Sequence, residues 1–205
     1  LGPDRPEASI GLVPNLVASR IANRFDFQGP AFAVDAACAS TLVAVDHAVS
    51  ELASGRCDLV VAGGTHHCHD VTLWSVFTQL RALSPSQAIR PFSRRADGLL
   101  VGEGTGFFVL KRLADAERDD DRVYAVVCGT AVASDGRAGS LMSPNATGQA
   151  LALQRAWGAA RLDPATVGLV EAHGTGTPAG DRAELETLRL VFGKADGGER
   201  RAGLG

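Results

Sequence analysis

The chain has 205 residues, 45% hydrophobic and 21% charged, with 20 basic and 23 acidic side chains and a net charge of −3. This is the composition of a globular domain with enough length for a core, and without a long basic run it gives no electrostatic case for nucleic-acid binding. No apolar run is long enough to span a bilayer, and four irregularly spaced cysteines (Cys38, Cys57, Cys68, Cys128) do not make a disulfide framework, which points to a reduced, cytoplasmic setting.

The chain opens at Leu1 with a polar, loop-like stretch that carries no signal-peptide pattern, and both ends read as cut from a longer polypeptide. Phe32 to Ala36 reads as a strand running into Cys38. From Ala39 to Ala53 the period is helical, with Leu42, Val45, Val49 and Leu52 on one face and Gly55 where a helix stops. Leu59 to Ala62 is an apolar strand closed by Gly63-Gly64. An irregular region follows, with a helix expected near Leu73 to Leu83 and turns at Ser84-Pro85 and Arg90-Pro91. Gly106 to Leu110 reads as a strand. The charged stretch Lys111 to Asp121 follows, its Asp119-Asp120-Asp121 run expected as a solvated loop, and then a long strand over Val123 to Val132.

Asn145 to Ala160 reads as a helix with Ala150, Leu153, Trp157 and Ala160 on one face, ended by Asp163-Pro164. Val167 to Ala172 is a strand that delivers His173. Asp181 then opens a helix as a capping box with Glu184, with Leu185, Leu188 and Phe192 inside and Gly193 at its close. Short apolar strands alternating with helices predict an α/β layered fold, with a break near Lys111 to Arg122 between two halves.

In Val34-Asp35-Ala36-Ala37-Cys38-Ala39-Ser40 a strand ends, small residues turn, and a cysteine begins a helix. A thiol there faces unpaired backbone N–H groups and the positive end of the helix dipole, which favour the reactive thiolate. The same N–H groups can stabilise an oxyanion on an acyl group held by the sulfur. The alternative is a small buried hydrophobe, the common fate of a free cysteine.

Glu171-Ala172-His173-Gly174-Thr175-Gly176-Thr177 pairs a histidine at a strand end with alternating glycines and threonines. Glycine lets backbone approach a ligand, the threonine hydroxyls donate or accept, and a neutral imidazole serves as donor or base near pH 7. The alternative is a Gly-rich turn with a satisfied histidine.

DAACAS around Cys38 and EAHGTGT around His173 resemble the paired active-site motifs of β-ketoacyl synthases (ketosynthases) of polyketide and fatty-acid synthases. RPFSRRADGLLVGEGTGFFVLKRL (Arg90 to Leu113), DRVYAVVCGTAV (Asp121 to Val132) and PAGDRAELETL (Pro178 to Leu188) are similar too, so the resemblance runs from about Asn15 to Gly193. Its style is that of type I multidomain synthases, and SDGRAGS (Ser134 to Ser140) leans toward the polyunsaturated-fatty-acid and iterative-polyketide branch.

The resemblance implies a thiolase-like, layered αβαβα fold, incomplete at both ends, with residues 1–118 closing the N-terminal half and 119–205 opening the C-terminal half. It implies decarboxylating Claisen condensation, with Cys38 taking the acyl chain and His173 holding the malonyl thioester carbonyl and stabilising the enolate. Thr175 and Thr177 match threonines that contact the phosphopantetheine arm, while Asp181 and Glu184 match structural positions, as helix cap and local network. The implied partners are an acyl carrier protein, which carries the phosphopantetheine, an acyltransferase domain in the same polypeptide, and a second copy in a homodimer. The domain itself is expected to bind no cofactor, metal, nucleic acid or membrane.

The family's second active-site histidine, its lysine and its later Gly-Phe loop have no counterpart in these 205 residues, so the chain alone is expected to be inactive. An inactive or structural ketosynthase relative and a thiolase-fold relative stay open as alternatives; the first usually lacks the cysteine. A serine hydrolase has no Gly-x-Ser-x-Gly elbow to support it, and no Walker-type loop occurs. His66-His67-Cys68-His69 offers four ligand types in a row, but adjacent side chains point apart and suit one tetrahedral ion poorly.

Overall fold

The structure, a computed structural model, describes residues 13–67, 70–137, 143–193 and 202–205. In chain order the elements are α1 (Asn15–Phe25), α2 (Ser40–Ala53), β1 (Leu59–His66), α3 (Val71–Gln79), β2 (Gly104–Lys111), α4 (Leu113–Arg118), α5 (Ala146–Ala160), a 3-10 turn (Pro164–Thr166), β3 (Leu169–Val170), α6 (Pro178–Phe192) and β4 (Gly203–Leu204). The chain divides into two compact units. The first is Leu1–Gly64 with Phe107–Tyr124, and the second is Thr65–Gly106 with Ala125–Gly205.

In the first unit α2 buries Ala48 and Leu52, while Val45 and Val49 are half-buried. Leu42, expected on the same face, is 73% exposed. Gly55 does stop this helix, at φ +72°, its N–H donating to the Leu52 carbonyl. β1 pairs with β2 in a two-stranded sheet. Gly63-Gly64 does not close β1, which runs on to His66. A Cβ at Gly64 would lie 2.2 Å from Thr41 Oγ1, so this glycine admits α2 against the strand rather than turning the chain.

Arg112 ties the unit together. Its guanidinium donates to the carbonyls of Leu52 and Cys57 and to the carboxylates of Asp58 and Asp115. The charged stretch after β2 forms α4, which sequence reading missed. Asp119 and Asp121 accept from Lys111 Nζ at 2.5 and 2.6 Å, so this part of the acidic run is exposed but ion-paired.

In the second unit α5 packs on α6, with Trp157 edge-on to Phe192 at 6.1 Å. The buried Thr187 hydroxyl lies 2.8 Å from both Gln149 Oε1 and the Ala183 carbonyl. Asn145 caps α5 by accepting from Thr147 N. α5 ends at Ala160, where Arg161 turns left-handed, before Asp163-Pro164 can act. α3 starts and ends earlier than expected: Asp70 caps it by accepting from Thr72 N, and Arg81 turns at φ +52°. β3 pairs in parallel with β4, Leu169 opposite Gly203 and Val170 opposite Leu204.

Two expected strands are not strands. Among the described residues, neither Phe32 to Ala36 nor Val123 to Val132 has a ladder, and only Ala36 makes an isolated bridge, to Cys38. The strand expected over Val167 to Ala172 shrinks to Leu169–Val170. An apolar run records a tendency to be buried, but a strand also requires a second chain for its N–H and C=O groups. Tyr124 is 82% exposed and Val126 52% exposed, which shows the same lack of a covering layer.

Candidate active site

The Cys38 turn is built from its immediate neighbours. Ala37 sits at φ +49°, left-handed for a residue with a Cβ, which costs about 1–2 kcal/mol without compensation. The compensation is local. Asp35 Oδ1 accepts from Ala37 N at 2.9 Å, and Ser40 Oγ accepts from Ala36 N at 2.9 Å while donating to the Ala37 carbonyl at 2.7 Å. Ala39 N and Ser40 N then close turns back to the carbonyls of Ala36 and Ala37. α2 begins at Ser40, one residue after the expected start at Ala39, so Cys38 stands on the turn that opens the helix rather than inside it. Its thiol is free and exposed. A sharp turn ahead of a helix, with small neighbours, presents a thiol to an incoming carbonyl without burying it.

The His173 loop is built from distant parts of the second unit. α6 begins at Pro178, with no side-chain cap from Thr177, so the capping box expected at Asp181 and Glu184 does not form. Both carboxylates lie inside the helix and reach back to the loop instead. Glu184 accepts from His173 N at 2.6 Å and from Gly174 N at 3.0 Å. Asp181, 6% exposed, accepts from Gly176 N at 3.1 Å and from Phe92 N at 2.6 Å. One acid thus clamps the Arg90-Pro91-Phe92 turn to the Gly-Thr loop. His173 itself is exposed.

The glycines of this loop are needed as glycines. Gly176 stands at φ +70°, and its added Cβ would lie 2.9 Å from the Gly98 carbonyl, whose own N–H donates to the Gly176 carbonyl at 2.9 Å. Behind Gly98, the buried Ser84 hydroxyl donates to Asp97 Oδ1 at 2.7 Å. Hydroxyl hydrogen bonds from Ser86 and Ser84 hold the Asp97 carboxyl below its ordinary range. Thr175 and Thr177 turn their hydroxyls to each other at 2.9 Å, and Thr177 N donates to Thr175 Oγ1 at 3.3 Å.

The structure therefore gathers His173, Thr175 and Thr177 on one loop, and sets Cys38 on its turn in the other unit. The resemblance implies a local network at Asp181, but its clamp onto the distant Phe92 was missed from sequence. Its signal was two acids three apart, directly after a Gly-rich loop, where their carboxylates can turn back as well as cap. Of His66-His67-Cys68-His69, Cys68 and His69 lie outside the described residues. Among the described residues, no group of three or more His, Cys, Asp or Glu side chains is arranged for a metal ion. Among them, too, no helix is long and apolar enough to cross a membrane.

Residues 3–116 match the family Beta-ketoacyl synthase, N-terminal domain, and residues 124–203 match Beta-ketoacyl synthase, C-terminal domain. The chain is 46% identical over 187 residues to a polyunsaturated fatty acid synthase polypeptide of Thraustochytrium sp., covering 91% of this chain and 7% of that protein. It is 44% identical over 180 residues to a phenolphthiocerol/phthiocerol polyketide synthase polypeptide of Mycobacterium bovis, covering 88% of this chain and 10% of that protein. Among solved structures it resembles an oxazolomycin ketosynthase domain from Streptomyces albus, with a TM-score of 0.89 and 36% identity over 94% of this chain and 34% of that one. The ketosynthase from module 6 of the bacillaene synthase of Bacillus subtilis 168 gives a TM-score of 0.89 and 32% identity, over 93% of this chain and 34% of that one. The chain thus spans about a third of these ketosynthase structures and a tenth or less of these synthases.

Proposed function

The chain belongs to the β-ketoacyl synthase family, with its thiolase-like α/β fold, and from that premise we propose that it is part of a domain performing decarboxylating Claisen condensation in polyketide or fatty-acid synthesis. The observation that carries the reading is the Cys38 turn: an exposed thiol beside a left-handed alanine, just ahead of α2. The Cys38 thiolate attacks an acyl thioester carbonyl and expels the carrier's thiol, leaving an acyl-cysteine. A malonyl thioester then loses carbon dioxide. Its enolate carbon attacks the acyl-cysteine carbonyl, a C–C bond forms, and the C–S bond to Cys38 breaks.

His173 serves the second half-reaction by donating to the malonyl thioester oxygen as charge develops there. A fixed donor of this kind contributes roughly 2.7–4 kcal/mol. The Glu184 and Asp181 clamps support this role, because they fix the loop backbone on both sides of the histidine. The Thr175 and Thr177 hydroxyls receive the phosphopantetheine arm, whose amides suit a donor–acceptor pair. The carrier is an acyl carrier protein, and the complete domain works as a cytoplasmic homodimer with an acyltransferase domain in the same polypeptide. Residues 1–118 belong to its N-terminal half and 119–205 to its C-terminal half, a division that the two family matches support.

Two assays on the full polypeptide carrying this sequence test the proposal: radiolabelled acyl transfer onto the enzyme, and carbon dioxide release from malonyl carrier protein. Cys38→Ala abolishes acyl transfer and leaves decarboxylation. His173→Ala retains part of the acyl transfer, while decarboxylation and condensation fall by about 10²–10³-fold. Condensation at the parent rate in His173→Ala makes the histidine structural and removes the proposed mechanism.

A further inference from the structure

The third residue of α6 is Gly180, in a stretch where its backbone carries no left-handed φ. Helix propensity alone favours alanine there, since glycine is the poorer helix former and has the larger conformational entropy to lose. The space around it gives the reason for glycine. A Cβ at Gly180 would lie 2.6 Å from Thr177 Oγ1 and 2.9 Å from Thr175 Oγ1. These are the two hydroxyls that pair at 2.9 Å. The obstacles are short side chains rather than backbone, so a methyl group here is accommodated by swinging the hydroxyls aside. The helix survives that motion and the hydroxyl pair does not.

We propose that Gly180 is a positioning residue for substrate binding: its missing side chain lets Thr175 and Thr177 hold their hydroxyls as one donor–acceptor pair facing an amide-bearing thioester arm. This rests on the reading of that pair as the phosphopantetheine contact. Paired hydroxyls share one proton between them and leave the other for a ligand carbonyl, with lone pairs free for a ligand N–H. Gly180 touches no ligand. It acts only through the two threonines, and its helical geometry means that the fold does not require it.

The test is steady-state decarboxylation of malonyl-pantetheine by the full polypeptide, with thermal unfolding followed in parallel. Gly180→Ala is expected to raise KM about tenfold, the effect of losing roughly one net hydrogen bond, with kcat changing less and Tm equal to or above the parent's. Thr177→Val is expected to raise KM similarly. In the Thr177→Val background, Gly180→Ala adds little, because the pair it would displace is already gone. If both Thr175→Val and Thr177→Val leave KM unchanged, the phosphopantetheine reading falls and the inference with it. If the valine variants raise KM and Gly180→Ala does not, the inference alone is overturned. A Gly180→Ala protein with lowered Tm and equal losses in kcat and KM, or one whose effect persists in full beside Thr177→Val, also overturns it.

Discussion

The two functional segments are held in different ways. Around Cys38, the supporting side-chain hydrogen bonds join residues two to four positions apart, through Asp35 and Ser40. Around His173, Glu184 reaches back ten and eleven positions, and Asp181 joins Gly176 to Phe92, 89 positions away from it. A locally held turn depends on a short string of residues and tolerates change elsewhere. A clamped loop is only as well placed as the distant segments that meet on its carboxylates.

The largest effect expected from this contrast is at the clamp. Asp181→Ala leaves two backbone donors without their acceptor, which costs about 2–4 kcal/mol when each donor is cut off from water. Urea unfolding of the full polypeptide measures the loss, and carbon dioxide release falls with it. Asp181→Asn keeps one acceptor oxygen and recovers part of both. Ser40→Ala is expected to cost less, about 1 kcal/mol, because its hydroxyl partners are partly solvated. Its effect falls on acyl transfer more than on carbon dioxide release. A Ser40 variant that costs more than the Asp181 variant breaks the comparison.

The smallest effect is electrostatic and confined to the first unit. Arg118 and then Arg112 hold the Asp115 carboxyl below its ordinary range by hydrogen bonding, as Lys111 and then Arg118 do for Asp119. A carboxyl with a lowered folded-state pKa contributes stability above its unfolded value of about 3.9, and that stability is lost as pH falls through the folded value. Tm is therefore expected to fall on acidification below about pH 4. In Asp115→Asn/Asp119→Asn the fall is shallower, and an unchanged slope contradicts the assignment.

The same contrast explains what was legible in the sequence. α2, α5 and α6 were readable as helices from their apolar period, although Leu42 of α2 and Leu185 of α6, both expected inside, are exposed, and the Cys38 turn was readable from the small residues around it, because both are local patterns. The clamps were not. Asp181 and Glu184 carry the spacing of a capping box, and only the fold decides that the carboxylates turn to the loop. Gly98, against Gly176, gave no signal either, since a close backbone approach between distant segments leaves no periodicity. The strands expected at Phe32 to Ala36 and Val123 to Val132 failed for a related reason: apolar content was legible, a hydrogen-bonding partner was not.

The nucleophile is the claim on which the rest depends. Incubating the full polypeptide with an acyl-pantetheine thioester, then locating the added mass by peptide mapping, tests it directly. Within these 205 residues the acyl group is predicted on Cys38, with none there in Cys38→Ala. Acylation mapped within these residues to Cys57, Cys128 or another side chain, or persisting there in Cys38→Ala, contradicts it.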